Sequence, residues 1–303
     1  METNIQFIAG IDGGGTKTTV ICHDLNGKIL AEKKFGPFNL NSIGEENFTA
    51  LMSQICEFLN NIGECKVLYI GAAGISNSRL KELIEFAMVK AGINHWQLVG
   101  DHEIALWGAL EGKEGISIVA GTGSVCVGRN REGETLRVGG WGHLLADEGS
   151  GYAIGRDALK AITRYWDGCA EETSLVNAVA ENLQISSSQE LVTYVYGNDK
   201  SSVALISRIV EKEAINGDRV ANNILIENAK QLAELVKVLA KRLNIDCAEI
   251  AMLGGLVEND TFFRKILVET IEKYCPGFVC VKPRQNAAMG AVMMAANYYK
   301  RNF

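Results

Sequence analysis

The sequence predicts an α/β fold made of two halves that share one order of elements, and three observations lead there. A strand, a Gly/Thr turn, a second strand, a polar turn and a third strand run from Phe7 to Glu32, and the same series returns from Ile116 to Val138. After each series, helix and strand patterns alternate, as in an open mixed sheet layered by helices. The chain has 303 residues, enough for two domains of roughly 150 residues that each bury a core. The expected division is 1–114 with 288–303, and 115–287, hinged near Lys113–Gly115.

The first half opens on the apolar run Phe7-Ile8-Ala9 and turns through Asp12-Gly13-Gly14-Gly15-Thr16-Lys17-Thr18. The β-branched run that follows, Thr18 to Ile21, argues for a returning strand. Asn26-Gly27 is a hairpin signal and places a third strand over Lys28–Glu32. Gly36 to Ser42 reads as a polar loop outside the core. From Glu45 to Ile62 the apolar positions Phe48, Leu51, Met52, Ile55, Phe58, Leu59 and Ile62 fall on one helical face. Lys66–Ile70 is a buried strand ending in Gly71-Ala72-Ala73-Gly74. A helix opens at Ser78 and stops at Gly92, Trp96–Val99 is the fifth strand, and Asp101 stands at the start of a helix over Glu103–Leu110.

The second half repeats the scheme with strands over Ile116–Ala120, Val125–Gly128 and Thr135–Val138 around the turn Gly121-Thr122-Gly123-Ser124. A glycine-dense loop, Gly139 to Gly151, and mostly helical segments to about Gly217 are extra material. A long helix from Val220 to Leu243 follows, then a strand over Glu249–Leu253 and a helix from Asp260 to Tyr274. A strand over Phe278–Val281 and a helix from Ala287 complete the half.

Bulk properties exclude several classes. A hydrophobic fraction of 47% and a charged fraction of 22% are ordinary for a globular protein. A net charge of −6 argues against a nucleic-acid or acidic-membrane surface. Residues 1–4 are not basic and the apolar run after them is short, so no signal peptide is read. The longest apolar stretch, Ala287 to Ala296, falls well short of the ~20 residues that span a bilayer. Eight cysteines are scattered without a C-x-x-C pair and read as buried or idle thiols, which fits a cytoplasmic setting.

The opening turn carries the first chemical signal. Three consecutive glycines give a bare backbone that can close on a large anion, with two threonine hydroxyls beside it. Lys17 adds a positive charge, and Asp12 a carboxylate suited to a divalent cation that arrives with phosphates. This is not a P-loop, because Thr16 separates the glycines from Lys17 and a strand follows in place of a helix. Nor is it the dinucleotide fingerprint, since position 18 is threonine. A glycine-rich hairpin without a ligand stays open at this point. Asp101 lies at the C-terminal end of a strand, where open α/β sheets bind ligands, although an N-cap role reads equally well.

Two halves that each begin with a glycine/threonine hairpin resemble the actin-like ATPase fold shared by sugar kinases, acetate kinases and heat-shock chaperones. The resemblance implies a duplicated ribonuclease H-like, two-domain α/β fold with an interdomain cleft. Gly10 to Thr18 looks like the first phosphate motif, Ala120 to Ser124 the second, and Met252-Leu253-Gly254-Gly255 the adenosine motif. Gly71-Ala72-Ala73-Gly74 and Ala287-Ala288-Met289-Gly290-Ala291 resemble the segments where the halves cross. The strip Gly139-Gly140-Trp141-Gly142-His143, with Asp147-Glu148-Gly149-Ser150, narrows the resemblance to the N-acetylglucosamine kinase family and its ATPase relatives.

The resemblance implies an N-terminal sugar- and phosphate-binding domain, a C-terminal nucleotide-binding domain, and ATP with Mg²⁺ as cofactors. Gly13, Gly14, Gly15, Thr16, Lys17, Thr122 and Gly123 would grip the phosphates, Gly254 and Gly255 would pass the adenine, and Asp12 would hold Mg²⁺ through water. Asp101 maps onto the catalytic base. Asn39, Asp147 and the Gly123-Ser124 and Gly142-His143 backbones map onto sugar contacts. Leu40-Asn41-Ser42 departs from relatives that carry an aromatic after the asparagine, which opens the question of acyl or O3 specificity. The expected protein is a cytoplasmic homodimer that phosphorylates the 6-hydroxyl of N-acetylglucosamine or a near relative. N-acetylmuramic acid and glucosamine are the alternative substrates. A rival class, the ATPase activator of a radical dehydratase or reductase, would need cluster-binding cysteines, and only Cys126 lies near a phosphate loop. A sugar sensor without catalysis is disfavoured by the intact set of Asp12, Lys17 and Asp101.

Overall fold

A computed structural model describes residues 5–303; residues 1–4, where the absence of a signal peptide is read, lie outside the described residues. The chain divides into two compact units, Met1–Lys113 with Pro283–Phe303, and Glu114–Lys282.

In the first unit, β1 (Gln6–Gly13), β2 (Thr18–Asp24) and β3 (Ile29–Phe35) form an antiparallel meander. β4 (Glu64–Ala72) and β5 (Trp96–Gly100) extend the sheet parallel to β1, in the order β3-β2-β1-β4-β5. Phe7 to Ile11 are all buried, which is why β1 reads as a continuous apolar run: both faces of the sheet are covered. On one face α1 (Leu40–Ile62) and α2 (Ser78–Ala91) lay Phe48, Ile55, Leu59, Ile84 and Met88 on Phe7, Ile11 and Leu68. On the other, the C-terminal helix Ala287–Asn302 sets Ala288, Val292 and Ala295 against Ile8, Ile21 and Val67. That helix also packs on α3 (Asp101–Leu110). The approach is backbone to backbone: a Cβ on Gly10 would lie 2.7 Å from the carbonyl oxygen of Ala288. The small-residue run at Ala287–Ala291 therefore serves close packing within this unit.

Three local expectations in this unit are corrected. Segment 36–42 is not wholly outside the core, because Phe38 is buried edge-on against Phe48 with ring centroids 4.9 Å apart. Helix α1 begins at Leu40, since Asn39 caps it, and it breaks at Gly44 (φ 79°) before the long amphipathic part. The third strand also runs on to Phe35, because pairing with β2 continues to Thr18.

The second unit repeats the first. β6 (Gly115–Ala120), β7 (Ser124–Arg129) and β8 (Thr135–Gly139) are antiparallel, and β9 (Glu249–Leu253) and β10 (Val279–Val281) continue parallel to β6. The order β8-β7-β6-β9-β10 is that of the first unit. The extra material forms α4 (Gly151–Trp166), α5 (Leu175–Leu183), α6 (Ser188–Gly197), α7 (Lys200–Leu205) and α8 (Ser207–Ile215). α9 (Arg219–Leu243) buries Leu225, Leu232, Val236, Leu239 and Leu243 along one stripe. α10 (Phe262–Tyr274) starts two residues beyond Asp260 because the Thr261 hydroxyl caps it, accepting the Arg264 N–H at 3.0 Å. No helix among the described residues is long and apolar enough to cross a membrane.

Candidate active site

In the first unit the parallel strands β1, β4 and β5 end on one edge, Gly13 beside Ala72 and Ala72 beside Gly100. Asp12 and Asp101 therefore stand on the same edge two strands apart, roughly 10 Å by strand spacing. Their charges act on each other. Burial, and after it the negative charge of Asp101, push the Asp12 carboxyl above the usual aspartate range, with Lys17 pulling it back.

Asp101 is not the N-cap of α3. That position is Gly100, and Asp101 is the first residue inside the helix. Its Oδ1 accepts the backbone N–H of His102 at 2.8 Å and faces the His102 ring Nδ1 at 3.2 Å. The His102 ring beside it holds the Asp101 carboxyl below the usual range, against burial, which pushes it up. Glu103 reaches back to accept the Gly100 N–H at 3.1 Å, satisfying one of the free donors at the helix start.

The glycine turn is closed on itself. The Gly14 N–H donates to the Lys17 carbonyl at 3.0 Å, and the Gly14 carbonyl accepts from Phe38 at 2.9 Å. Gly13 lies so close to the Phe38 ring that a Cβ would approach it to 2.7 Å. Gly15, Thr16 and Lys17 are exposed. Thr18 is the exception among the expected ligand-facing groups: it is fully buried and its hydroxyl donates to the Gly36 carbonyl at 2.7 Å. A cavity of about 370 Å³ within this unit is lined by Gly13, Gly15, Asn39, Gly74 and Asn77, among others. Asn39 uses its Oδ1 to accept the Asn41 N–H at 3.1 Å, which leaves its amide nitrogen for the cavity.

The second unit gathers its own set. The turn after β6 closes through the Gly121 N–H on the Gly123 carbonyl at 2.9 Å, and Gly151 and Tyr152 donate to the Gly121 and Thr122 carbonyls at 2.8 and 3.2 Å. The Ser124 side chain is spent within the protein, donating to the Glu148 carbonyl at 2.6 Å, so only its backbone is left for a ligand. Asp147 is 4% exposed and sits at φ 66°. Its Oδ2 lies 2.8 Å from where a Cβ of Gly123 would be. Gly142 has φ 91° and accepts the Leu145 and Ala146 N–H groups, while the His143 ring rests edge-on against Tyr152 at 4.7 Å. Gly254 (φ 92°) starts a turn whose Leu256 N–H donates to the Ala120 carbonyl at 3.1 Å, joining the adenosine-type motif to the end of β6; Gly255 is open to solvent.

The site residues read from the sequence thus fall into two groups, one in each unit. Sequence reasoning missed the contact of His102 with Asp101 and the Ser124–Glu148 bond. Only adjacency in the chain could have hinted at the first. Cys126 is fully buried in β7 and presents no sulfur at the surface.

Comparison with known proteins adds to this geometry. The model of the BadF/BadG/BcrA/BcrD ATPase family matches residues 9–295. The chain is 35% identical over 301 residues to an N-acetylmuramic acid/N-acetylglucosamine kinase of Clostridium acetobutylicum, covering 96% of this chain and 98% of that one. It is 30% identical over 317 residues to an N-acetyl-D-glucosamine kinase of Dictyostelium discoideum, covering 97% and 99%. A solved structure of a candidate N-acetylglucosamine kinase from Chromobacterium violaceum has a TM-score of 0.73 at 23% identity, over 96% of this chain and 99% of that one, a likeness of fold.

Proposed function

The chain belongs to the BadF/BadG/BcrA/BcrD ATPase family, and from that premise we propose that it is an ATP-dependent amino-sugar kinase. It moves a phosphoryl group to the 6-hydroxyl of N-acetylglucosamine or a close relative, as the names of its relatives support. The observation that carries this reading is the Asp12–Asp101 pair. Asp101 is kept anionic, with Oδ1 engaged by His102 and Oδ2 left to receive a proton. A base so placed is worth typically ~10²–10⁴-fold in rate.

Asp12 is a carboxylate in need of a cation, since its burial and the repulsion from Asp101 are both relieved by one. Among the described residues no cluster of three acidic, histidine or cysteine side chains is gathered to hold a metal alone. Mg²⁺ arriving with the nucleotide phosphates would be held by Asp12, through water. When bound, such an ion neutralises charge on the transferring group.

The other roles follow from chemistry and exposure. Thr16 and Lys17 contact phosphate oxygens from the first hairpin, and Thr122 and Gly123 from the second. The backbone at Gly254 and Gly255 makes room for adenine. The Asn39 amide, the Asp147 carboxylate and the backbones of Gly123-Ser124 and Gly142-His143 hold the sugar, because vicinal hydroxyls both donate and accept. Asp101 takes the proton of the attacking hydroxyl as the phosphoryl group passes in line. N-acetylmuramic acid is the second substrate reading, favoured by the Clostridium relative whose name carries both sugars. The reading is completed by a homodimer in the cytoplasm, with the assembly tested by sedimentation.

The deciding experiment is ADP release against a panel of hexosamines, with Asp101→Ala as control. A chain whose ADP formation no hexosamine stimulates is not this kinase. A purified protein that carries iron and sulfide would favour the activator class instead, against the burial of Cys126.

A further inference from the structure

Resting on the kinase reading, we propose that His102 is the positioning residue of the base: with its backbone N–H and its ring it holds Oδ1 of Asp101, so that Oδ2 alone meets the attacking hydroxyl. The two contacts, 2.8 Å from the backbone and 3.2 Å from Nδ1, converge on the same oxygen. Because a carboxylate only accepts, Nδ1 is the protonated ring nitrogen. The Asp101 side chain is half exposed and its χ2 is intrinsically soft, so without such a hold it would sample many orientations. The ring is the steadier partner, its side chain 24% exposed.

What seats the ring is the residue before the aspartate. A Cβ on Gly100 would lie 2.8 Å from both nitrogens of the His102 ring. Yet the Gly100 backbone, at φ −65° and ψ 143°, is extended geometry that any residue adopts. The glycine is therefore required by the ring rather than by the chain. Other charged or titratable groups near the pair are Asp12 on β1 with Lys17 in the turn after it, and Glu103 on α3. Glu103 is spent on the Gly100 N–H, and none of the three contacts Oδ1.

The test compares kcat, both KM values and Tm for the wild-type chain, His102→Ala, His102→Asn, Gly100→Ala and the double variant Gly100→Ala/His102→Ala. His102→Ala and Gly100→Ala should each lower kcat by about ten- to a hundredfold, as a misplaced catalytic group does, with both KM values within about twofold. His102→Asn, which keeps a short side-chain N–H, should recover most of the loss. The double variant should be no slower than His102→Ala, since no ring remains for the new methyl to displace. Wild-type kcat in His102→Ala overturns the proposal. So do multiplying losses in the double variant, or a kcat that falls with Tm and is not restored by asparagine. If the wild-type chain turns over no hexosamine, the kinase reading falls and this proposal with it; failure in the variants alone leaves the kinase reading standing.

Discussion

The negative charge of Asp101 pushes the carboxyl of Asp12 above the usual aspartate range, adding to the larger effect of burial. A carboxyl raised by folding binds its proton more tightly in the native state than in the unfolded chain. The native state is therefore penalised as pH climbs from the ordinary value of 3.8 through the raised one. Asp12→Asn should raise Tm at pH 7 by on the order of 2 °C in the absence of nucleotide. The gain should fade as pH drops below the ordinary value of 3.8, because Asp12 is then protonated in both the folded and the unfolded chain. Thermal melts at the two pH values check this, and a lower Tm at pH 7 would count against the arrangement. The same variant should lose most of its ATP-dependent turnover, a residue kept for function against stability.

Asp101 is displaced the other way. The His102 ring, and after it the His102 N–H, favour its charged form over the burial that opposes it. The acid limb of kcat/KM should therefore lie below about pH 4. Protonation of Asp12, whose carboxyl is raised above the usual range, should bring an earlier fall at higher pH than that limb. Asp101→Ala should lower kcat by about 10²–10⁴-fold and leave ATP affinity within a few fold. A pH profile whose acid limb sits near 6.5, the histidine range, would move the base away from Asp101.

Two threonines of one turn should behave differently. Thr18 is buried and its hydroxyl is bonded to Gly36, whereas Thr16 is exposed beside the glycines. Thr18→Val should cost about 1 kcal/mol by chemical denaturation and leave the KM for ATP unchanged. Thr16→Ala should raise that KM about five- to tenfold with no loss of stability. Equal effects on KM would mean that the turn rearranges around the nucleotide.

The difference between these threonines is also a measure of what the sequence could tell. Element order was legible, because both hairpins are written as glycine turns between β-branched runs and α1, α2 and α9 carry a clear helical period. The strand-end positions of Asp12 and Asp101 were legible for the same reason. Which threonine faces out was not: pairing of Thr18 with both Gly13 and Phe35 turns its hydroxyl inward, and that register lies outside the local pattern. Phe38 was misread because Gly36-Pro37 and Asn39 mark a loop, while the Phe48 ring, far along the chain, decides its burial. The His102 contact escaped because it depends on a missing Cβ one residue before the aspartate.

Asp147 offers the sharpest separation of binding from folding. It is a buried carboxylate at φ 66°, with Oδ2 set against Gly123. Asp147→Asn keeps the shape and tolerates the left-handed backbone, but exchanges one acceptor oxygen for a donor. The KM for the sugar should rise about ten- to a hundredfold, as expected when a site is left without one of its hydroxyl partners. The KM for ATP should hold, and Tm should stay level or rise because a buried charge has gone. A fall in Tm of several degrees with the sugar KM intact would instead make Asp147 a fold-building residue of the loop.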